Sequence, residues 1–118
     1  MSVADPRRGE LWYIDLDPTK GQELKKERPA VVVSADALGI LSLKLIVPLT
    51  GWNSRYEDKL WLVRIDVSNR NGLAKPSAAD TLQTRSVDKQ RFTRKLGMLE
   101  DEALERIVAA LAVLVEAR

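Results

Sequence analysis

Six charged side chains crowd one short stretch of this chain: Lys20, Glu23, Lys25, Lys26, Glu27 and Arg28. Residue types alone leave two readings open, a solvated loop or a site for phosphate. In the second, Arg28 is the fixed member. It precedes Pro29, whose ring biases residue 28 toward extended backbone, and the apolar run Ala30-Val31-Val32-Val33 follows at once. A guanidinium anchored at the edge of a buried strand suits the stabilisation of negative charge as it develops. A second stretch, Thr50 to Lys59, sets Trp52 and Tyr56 beside Asn53 and Arg55. Exposed rings stack on bases while nearby cations hold phosphates, the combination a single-strand binder requires. Rings that merely cap the core edge are the alternative.

Absent residue types narrow the chemistry further. The chain has no histidine and no cysteine. A Ser-His-Asp triad, a His- or Cys-based zinc site, a thiolate nucleophile, a disulfide framework and a two-histidine ribonuclease mechanism are all excluded. Acid–base catalysis must use Asp, Glu, Lys, Tyr or Arg, or the substrate itself. Neither G-x-x-x-x-G-K-[ST] nor G-x-G-x-x-G occurs, so the common phosphate-cradling loops are missing. No acidic spacing resembles a calcium loop, and the expectation is no metal and no cofactor. The net charge of +2 permits a polyanionic partner without requiring one.

These loops need a frame, and 118 residues suffice for one domain, 1–118, and not for two. With 45% apolar and 31% charged residues a packed core is expected. Glu10 to Asp17 reads as a strand, with Trp12, Ile14 and Leu16 on one face. Asp17-Pro18-Thr19-Lys20-Gly21 has turn chemistry. Pro29 to Ser34 is a short buried strand, and Ser34 to Ala37 starts a single helical turn. Leu43 to Leu49 is a strand that tolerates Pro48 near its end. Leu60 to Val67 is another, with Trp61, Val63, Ile65 and Val67 sharing a face. Asn69 to Ser77 is a turn region, Ala78 to Thr84 a strand, Asp88 to Phe92 a helical turn and Arg94 to Leu99 the last strand. A helix then starts at Glu100 or Asp101 and runs to about Ala117. Leu104, Ile107, Val108, Leu111, Leu114 and Val115 form its apolar stripe, which packs on the sheet or meets a partner. Five or six short strands plus a terminal helix predict a small curled sheet or barrel. The longest apolar runs, such as Leu45 to Leu49, are too short to span a membrane. Met1 to Arg8 is polar, unlike a signal peptide, and the absence of Cys fits a reducing cytoplasm.

Taken together, several ordered motifs resemble the MazF/PemK-type toxins. Arg8-Gly9-Glu10-Leu11-Trp12-Tyr13-Ile14-Asp15-Leu16-Asp17-Pro18-Thr19-Lys20-Gly21 resembles the family's opening, continued by Gln22-Glu23 and by Glu27-Arg28-Pro29-Ala30-Val31-Val32-Val33-Ser34. Ile46-Val47-Pro48-Leu49-Thr50 is similar to its next signature. Gly72-Leu73, Lys75-Pro76-Ser77, Gln83-Thr84-Arg85-Ser86-Val87-Asp88-Lys89 and Leu96-Gly97 extend the match over nearly the whole chain.

The resemblance implies a mostly β fold with a C-terminal helix, an SH3-like barrel of the CcdB/Kid/MazF type. It implies a homodimer that cleaves single-stranded RNA sequence-specifically and without the ribosome. The inhibitor would be a cognate antitoxin whose flexible acidic tail occupies the RNA groove. Arg28 matches the arginine of the family's Arg-Pro pair, Thr50 the threonine closing Val-Pro-x-Thr, and Glu23 the acidic residue after the Gly-x pair. Expected RNA contacts are Lys20, Gln22, Lys25, Lys26, Trp52, Asn53, Arg55, Tyr56 and Gln83. The Kid/PemK branch places an Arg and an Asp just before the later Gln and a histidine in the first loop. Here Asp80-Thr81-Leu82-Gln83 stands there and no histidine exists, so the site should follow the MazF branch. Glu100 replaces the Ser common at the helix start, a weaker cap. In the mechanism implied, the RNA 2′-hydroxyl attacks the adjacent phosphate, Arg28 faces the non-bridging oxygens, Thr50 hydrogen-bonds the phosphate or the 2′-hydroxyl, and Glu23 accepts the proton. The alternatives are a CcdB-like gyrase-binding toxin without nuclease activity and a non-catalytic SH3-like adaptor.

Overall fold

The computed structural model describes residues 5–16, 27–38 and 41–117. The described strands are β1 (Glu10–Asp15), β2 (Glu27–Val32), β3 (Leu43–Gly51), β4 (Leu62–Ile65), β5 (Ser77–Asp80), β6 (Arg85–Asp88) and β7 (Phe92–Met98), followed by the helix α1 (Asp101–Leu114). The mostly β chain with one terminal helix is therefore as expected. Every strand pairing is antiparallel, in the order β4-β5-β3-β2-β1-β7, and β6 also pairs with β3. The helical turns expected near residues 34–37 and 88–92 are 3-10 turns at Asp36–Leu38 and Lys89–Arg91.

One expectation fails between residues 78 and 84. That segment is not one strand: β5 ends at Asp80, a 3-10 turn occupies Thr81–Gln83, and β6 starts at Arg85. The cause lies in β3. Its C-terminal end pairs with β5, Leu49 opposite Ala79, while its N-terminal half pairs with β6, Ile46 opposite Arg85. Five residues on one side must oppose two on the other, and the turn absorbs the surplus. Thr81 fixes it, its N–H and hydroxyl both donating to the Trp61 carbonyl at 3.0 and 2.7 Å. Pro48 sits at this interruption. Val33 N–H donates to the Leu45 carbonyl across the β2–β3 ladder, so by alternation the missing Pro48 N–H points to the β5–β6 side, where no ladder bond is due.

Alternation along the strands builds two cores. Leu11, Val31, Val47, Leu49, Val63, Ile65 and Ala79 face α1, whose Ala103, Leu104 and Ile107 close that core. On the opposite face Ile14, Leu16, Ala30, Val32, Ile46, Val87 and Phe92 form a second core. Trp12 packs against it, edge-on to Phe92 at 5.8 Å. Val67, expected beside Val63 and Ile65, lies beyond the end of β4 and is exposed. The helical stripe divides in the same way. Leu104 and Ile107 are buried and Leu111 packs on the core, whereas Val108, Leu114 and Val115 face outward.

A compact loop ties α1 to the barrel. Fully buried Asn71 accepts from Ser68 N–H (3.2 Å) and Leu73 N–H (3.0 Å) and donates to the Asp66 carbonyl (2.9 Å). The Ser68 hydroxyl donates to the Glu100 carboxylate at 2.6 Å, and this bond, first among its causes, holds that carboxyl below its ordinary pKa. Glu100 is the N-cap residue, yet its side chain makes no capping hydrogen bond, its carboxylate having turned to Ser68 instead. Gly97 lies against this loop: a Cβ there would collide with the Arg70 carbonyl.

Candidate functional site

Register alone gathers the site. Ala30 of β2 lies opposite Pro48 of β3, and continuing that pairing two residues sets Arg28 opposite Thr50. Thr50 pairs in turn with Ala78 of β5, and Asp80 follows two residues along on the same face. Arg85 of β6 faces Ile46 across β3. All of these side chains therefore project from the face that buries Ile14, Ala30, Val32 and Ile46, at the end where its apolar cover stops. The same strands that pack the second core present the polar residues.

Arg28, Thr50, Tyr56, Asp80, Gln83 and Arg85 line a cavity of about 450 Å³, floored by Leu16, Pro48 and Leu49. A second depression of about 480 Å³ shares Arg28 and Thr50 and continues past Gly51 to Lys75 and Ser77. Arg28 and Thr50 thus stand where the two hollows meet. The Arg85 guanidinium is steered by the Leu16 carbonyl, to which it donates at 3.4 Å. Lys75 passes close to β3; its ammonium lies 3.2 Å from where a Cβ on Gly51 would sit, so a larger residue there would push it aside by a few tenths of an ångström.

Tyr56 is delivered by local chemistry. Asn53 caps the 3-10 turn Ser54–Tyr56, its side chain accepting from Arg55 N–H at 2.9 Å. The Tyr56 ring meets Trp52 edge-on at 5.9 Å, and the Arg64 guanidinium lies over Trp52 at 5.1 Å. Trp52 N–H donates to the Pro76 carbonyl at 3.0 Å, joining this loop to the approach of β5. One oxygen of Asp80, Oδ1, is shielded from solvent and, among the described residues, has no hydrogen-bond partner.

Of the residues expected from sequence, Arg28 and Thr50 come together, and Tyr56 and Gln83 join them in the cavity wall. Trp52 stands behind Tyr56 as its support. Asn53 has a structural task as the turn cap, and exposed Arg55 follows it outside the two hollows. Glu23, Lys20, Gln22, Lys25 and Lys26 fall outside the described residues. Sequence reasoning missed Asp80, Arg85 and Lys75 as members of the site. Strand register would have found the first two, since both lie on the strands that flank β3 on one side. Chemically the arrangement offers cations and a hydroxyl for phosphate, a ring for stacking, and a carboxylate and an amide for polar recognition.

Comparison with known proteins follows from this geometry. The profile of the PemK-like, MazF-like toxins of type II toxin–antitoxin systems matches residues 7–115. The endoribonuclease MazF9 of Mycobacterium tuberculosis is 33% identical over 112 residues, covering 89% of this chain and 92% of the relative. The endoribonuclease EndoA of Bacillus subtilis is 31% identical over 107 residues, covering 91% of each. Among solved structures, MazF in a MazE–MazF crystal from Deinococcus radiodurans superposes with a TM-score of 0.78 at 22% identity, covering 98% of this chain and 99% of that one. The barrel type expected from the motifs is the one these neighbours have.

Proposed function

Because this chain belongs to the PemK-like, MazF-like toxins of type II toxin–antitoxin systems, we propose that it is a metal-independent endoribonuclease that cuts single-stranded mRNA at a specific sequence without the ribosome. The observation that carries the reading is the meeting of Arg28 and Thr50 at the junction of two hollows, one of them walled by Tyr56. A single strand laid along both hollows sets a phosphate over that junction and leaves its neighbouring base beside the ring.

RNA brings its own nucleophile. The 2′-hydroxyl oxygen bonds to phosphorus, the bond to the 5′-oxygen breaks, that oxygen takes a proton from water, and the products are a 2′,3′-cyclic phosphate and a 5′-hydroxyl. Negative charge grows on the non-bridging oxygens, where a guanidinium favours the transition state over the ground state. Arg28 takes that role and Thr50 orients the phosphate or the 2′-hydroxyl. Glu23, by its motif position, accepts the hydroxyl proton. Chemistry of this kind needs no metal, in keeping with a sequence that has no His or Cys ligand.

Two partners belong to the proposal. A cognate antitoxin whose acidic segment competes with RNA suits a groove bearing Arg28, Arg85 and Lys75. A second copy of the chain covers the apolar face around Leu45, Leu82 and the C-terminal half of α1; Leu82 is 60% and Val115 72% exposed there, apolar surface that a symmetric pairing would remove from water. Among the described residues no helix is long and apolar enough to cross a membrane, and the mRNA substrate sets the proposed site of action in the cytoplasm.

Incubation of the purified protein with a long mixed-sequence RNA in excess EDTA, read by primer extension, tests the reading. Discrete cuts with 5′-hydroxyl ends are expected. Intact RNA under all conditions would favour the gyrase-binding alternative, and cleavage that requires added magnesium would overturn the mechanism.

A further inference from the structure

Among the described residues, Asp80 is the one carboxylate lining the cavity walled by Tyr56 and Gln83. It projects from β5 on the face shared by Thr50. Its Oδ1 is removed from water and, among the described residues, unpartnered. An acceptor in that state is costly to keep, and the cost is understandable where a ligand supplies the missing donor. A phosphate cannot be that ligand, since like charges repel. An ionised carboxylate only accepts hydrogen bonds, so the group it meets must carry an N–H or O–H donor, and in an RNA strand only a base edge offers two such donors side by side.

The rest of the cavity has the shape of a seat for a base. Tyr56 supplies an aromatic face, Leu16 and Pro48 supply apolar contact, and Gln83 and Arg85 supply donors on the same wall as Asp80. Guanine is the RNA base that matches this set. Its Watson–Crick edge presents two adjacent donors, N1–H and the N2 amino group, to one carboxylate, and its O6 accepts from an amide or guanidinium. Cytosine and adenine each present a single amino group there, and uracil sets its one N–H between two carbonyls that a carboxylate repels. Aspartate's terminal torsion is broad, so a modest turn brings both oxygens to one edge.

Resting on the nuclease reading above, we propose that Asp80 is a specificity residue: it reads a guanine next to the cut phosphate through N1–H and the N2 amino group. The cleaved sequence then contains a guanine at one fixed position flanking the cut. Discrimination of this bidentate kind amounts to about 10- to 100-fold.

The test compares wild type, Asp80→Asn and Asp80→Ala on the same mixed-sequence RNA, with cuts mapped by primer extension and folding checked by circular dichroism. Wild type should require guanine at one flanking position. Inosine there, which lacks the N2 amino group, should slow cutting about tenfold, and adenosine about a hundredfold. Asp80→Asn should lose the guanine preference at least tenfold while still cutting RNA that lacks it. The inosine arm uses unaltered protein, so it stands even if Asp80→Ala fails to fold. Absence of a fixed guanine in the wild-type cut sites, or an unchanged preference in Asp80→Asn, would overturn the assignment and leave the nuclease standing. Loss of all cutting in folded Asp80→Asn would also overturn it, by giving Asp80 to the chemistry. Failure of wild type to cut any RNA would instead remove the nuclease reading itself.

Discussion

Replacing Arg28 tests the catalytic reading most directly. Its side chain is exposed and, among the described residues, makes no hydrogen bond or ion pair. Removal therefore breaks no native contact there, and stability should change by no more than about 0.5 kcal/mol. For a chain of this size that is a melting shift of about 2 °C. The catalytic effect is larger. A full charge about 4 Å from the guanidinium, at an effective dielectric of about 20, interacts by about 4 kcal/mol. The groove is open to solvent, and only the part that grows between ground and transition state accelerates the reaction. About 3 kcal/mol is a reasonable share, or roughly a hundredfold in kcat/KM. Arg28→Ala should lose that much. Arg28→Lys keeps the charge but not the planar fork that offers two donors to one phosphate, so it should recover less than tenfold of the loss. Cleavage of a fluorogenic oligonucleotide, with thermal melting on the same samples, measures both quantities. A variant that melts several degrees lower while its folded fraction cuts at the wild-type rate would refute the argument and make Arg28 a structural residue.

Four further outcomes follow from the structure. Asn71→Ala strands the Ser68 and Leu73 N–H groups and the Asp66 carbonyl, a loss of about 3 kcal/mol, and thermal denaturation should show a melting temperature lower by about 12 °C. Glu10 is buried, which alone would raise its pKa, but hydrogen bonds from Lys95, Arg7 N–H and the Trp12 indole outweigh burial and hold the carboxyl below its ordinary value. That ionised group stabilises the fold above the unfolded pKa of about 4.3 and ceases to do so as pH falls through its lower folded value; Glu10→Gln should therefore melt below wild type at pH 7, with the gap narrowing toward pH 3. Tyr56→Ala should weaken binding of a non-cleavable 2′-O-methyl RNA by about 1–3 kcal/mol, seen by fluorescence anisotropy, and unchanged affinity would make the ring a core cap. Val108→Glu, at an exposed position on the apolar face, should halve the mass found by light scattering at micromolar concentration, and a wild type that is itself monomeric would contradict the proposed pairing.

Legibility of the sequence varied with how local the deciding physics was. Arg28 was readable because Pro29 and an apolar run fix its backbone within three residues. The helix was readable from its spacing, but where its stripe leaves the core was not, since that depends on which side of the helix the rest of the fold covers. Asp80 and Arg85 were invisible as site members. Each is an ordinary polar residue in a weak strand pattern, and only pairing with β3 turns them toward Thr50 and Ile46. Asn53 has a local task that its residue type also allows: its side-chain oxygen accepts from the Arg55 N–H and caps the turn Ser54–Tyr56.

The turn Thr81–Gln83 also sets what the lineage of this chain can tolerate in length. β5 and β6 lie against one continuous partner strand in frames that differ by three residues, Leu49 facing Ala79 but Ile46 facing Arg85. Deleting a single residue from the turn would advance β6 by one step. Val87, now 2% exposed in the second core, would rotate to solvent and Asp88 would take its place, and Arg85 would swing to the far side of the sheet. Insertions and deletions that are harmless in most surface turns should therefore be purged from this one, and viable length changes should cluster elsewhere, in segments such as 57–61 that carry no frame between two ladders.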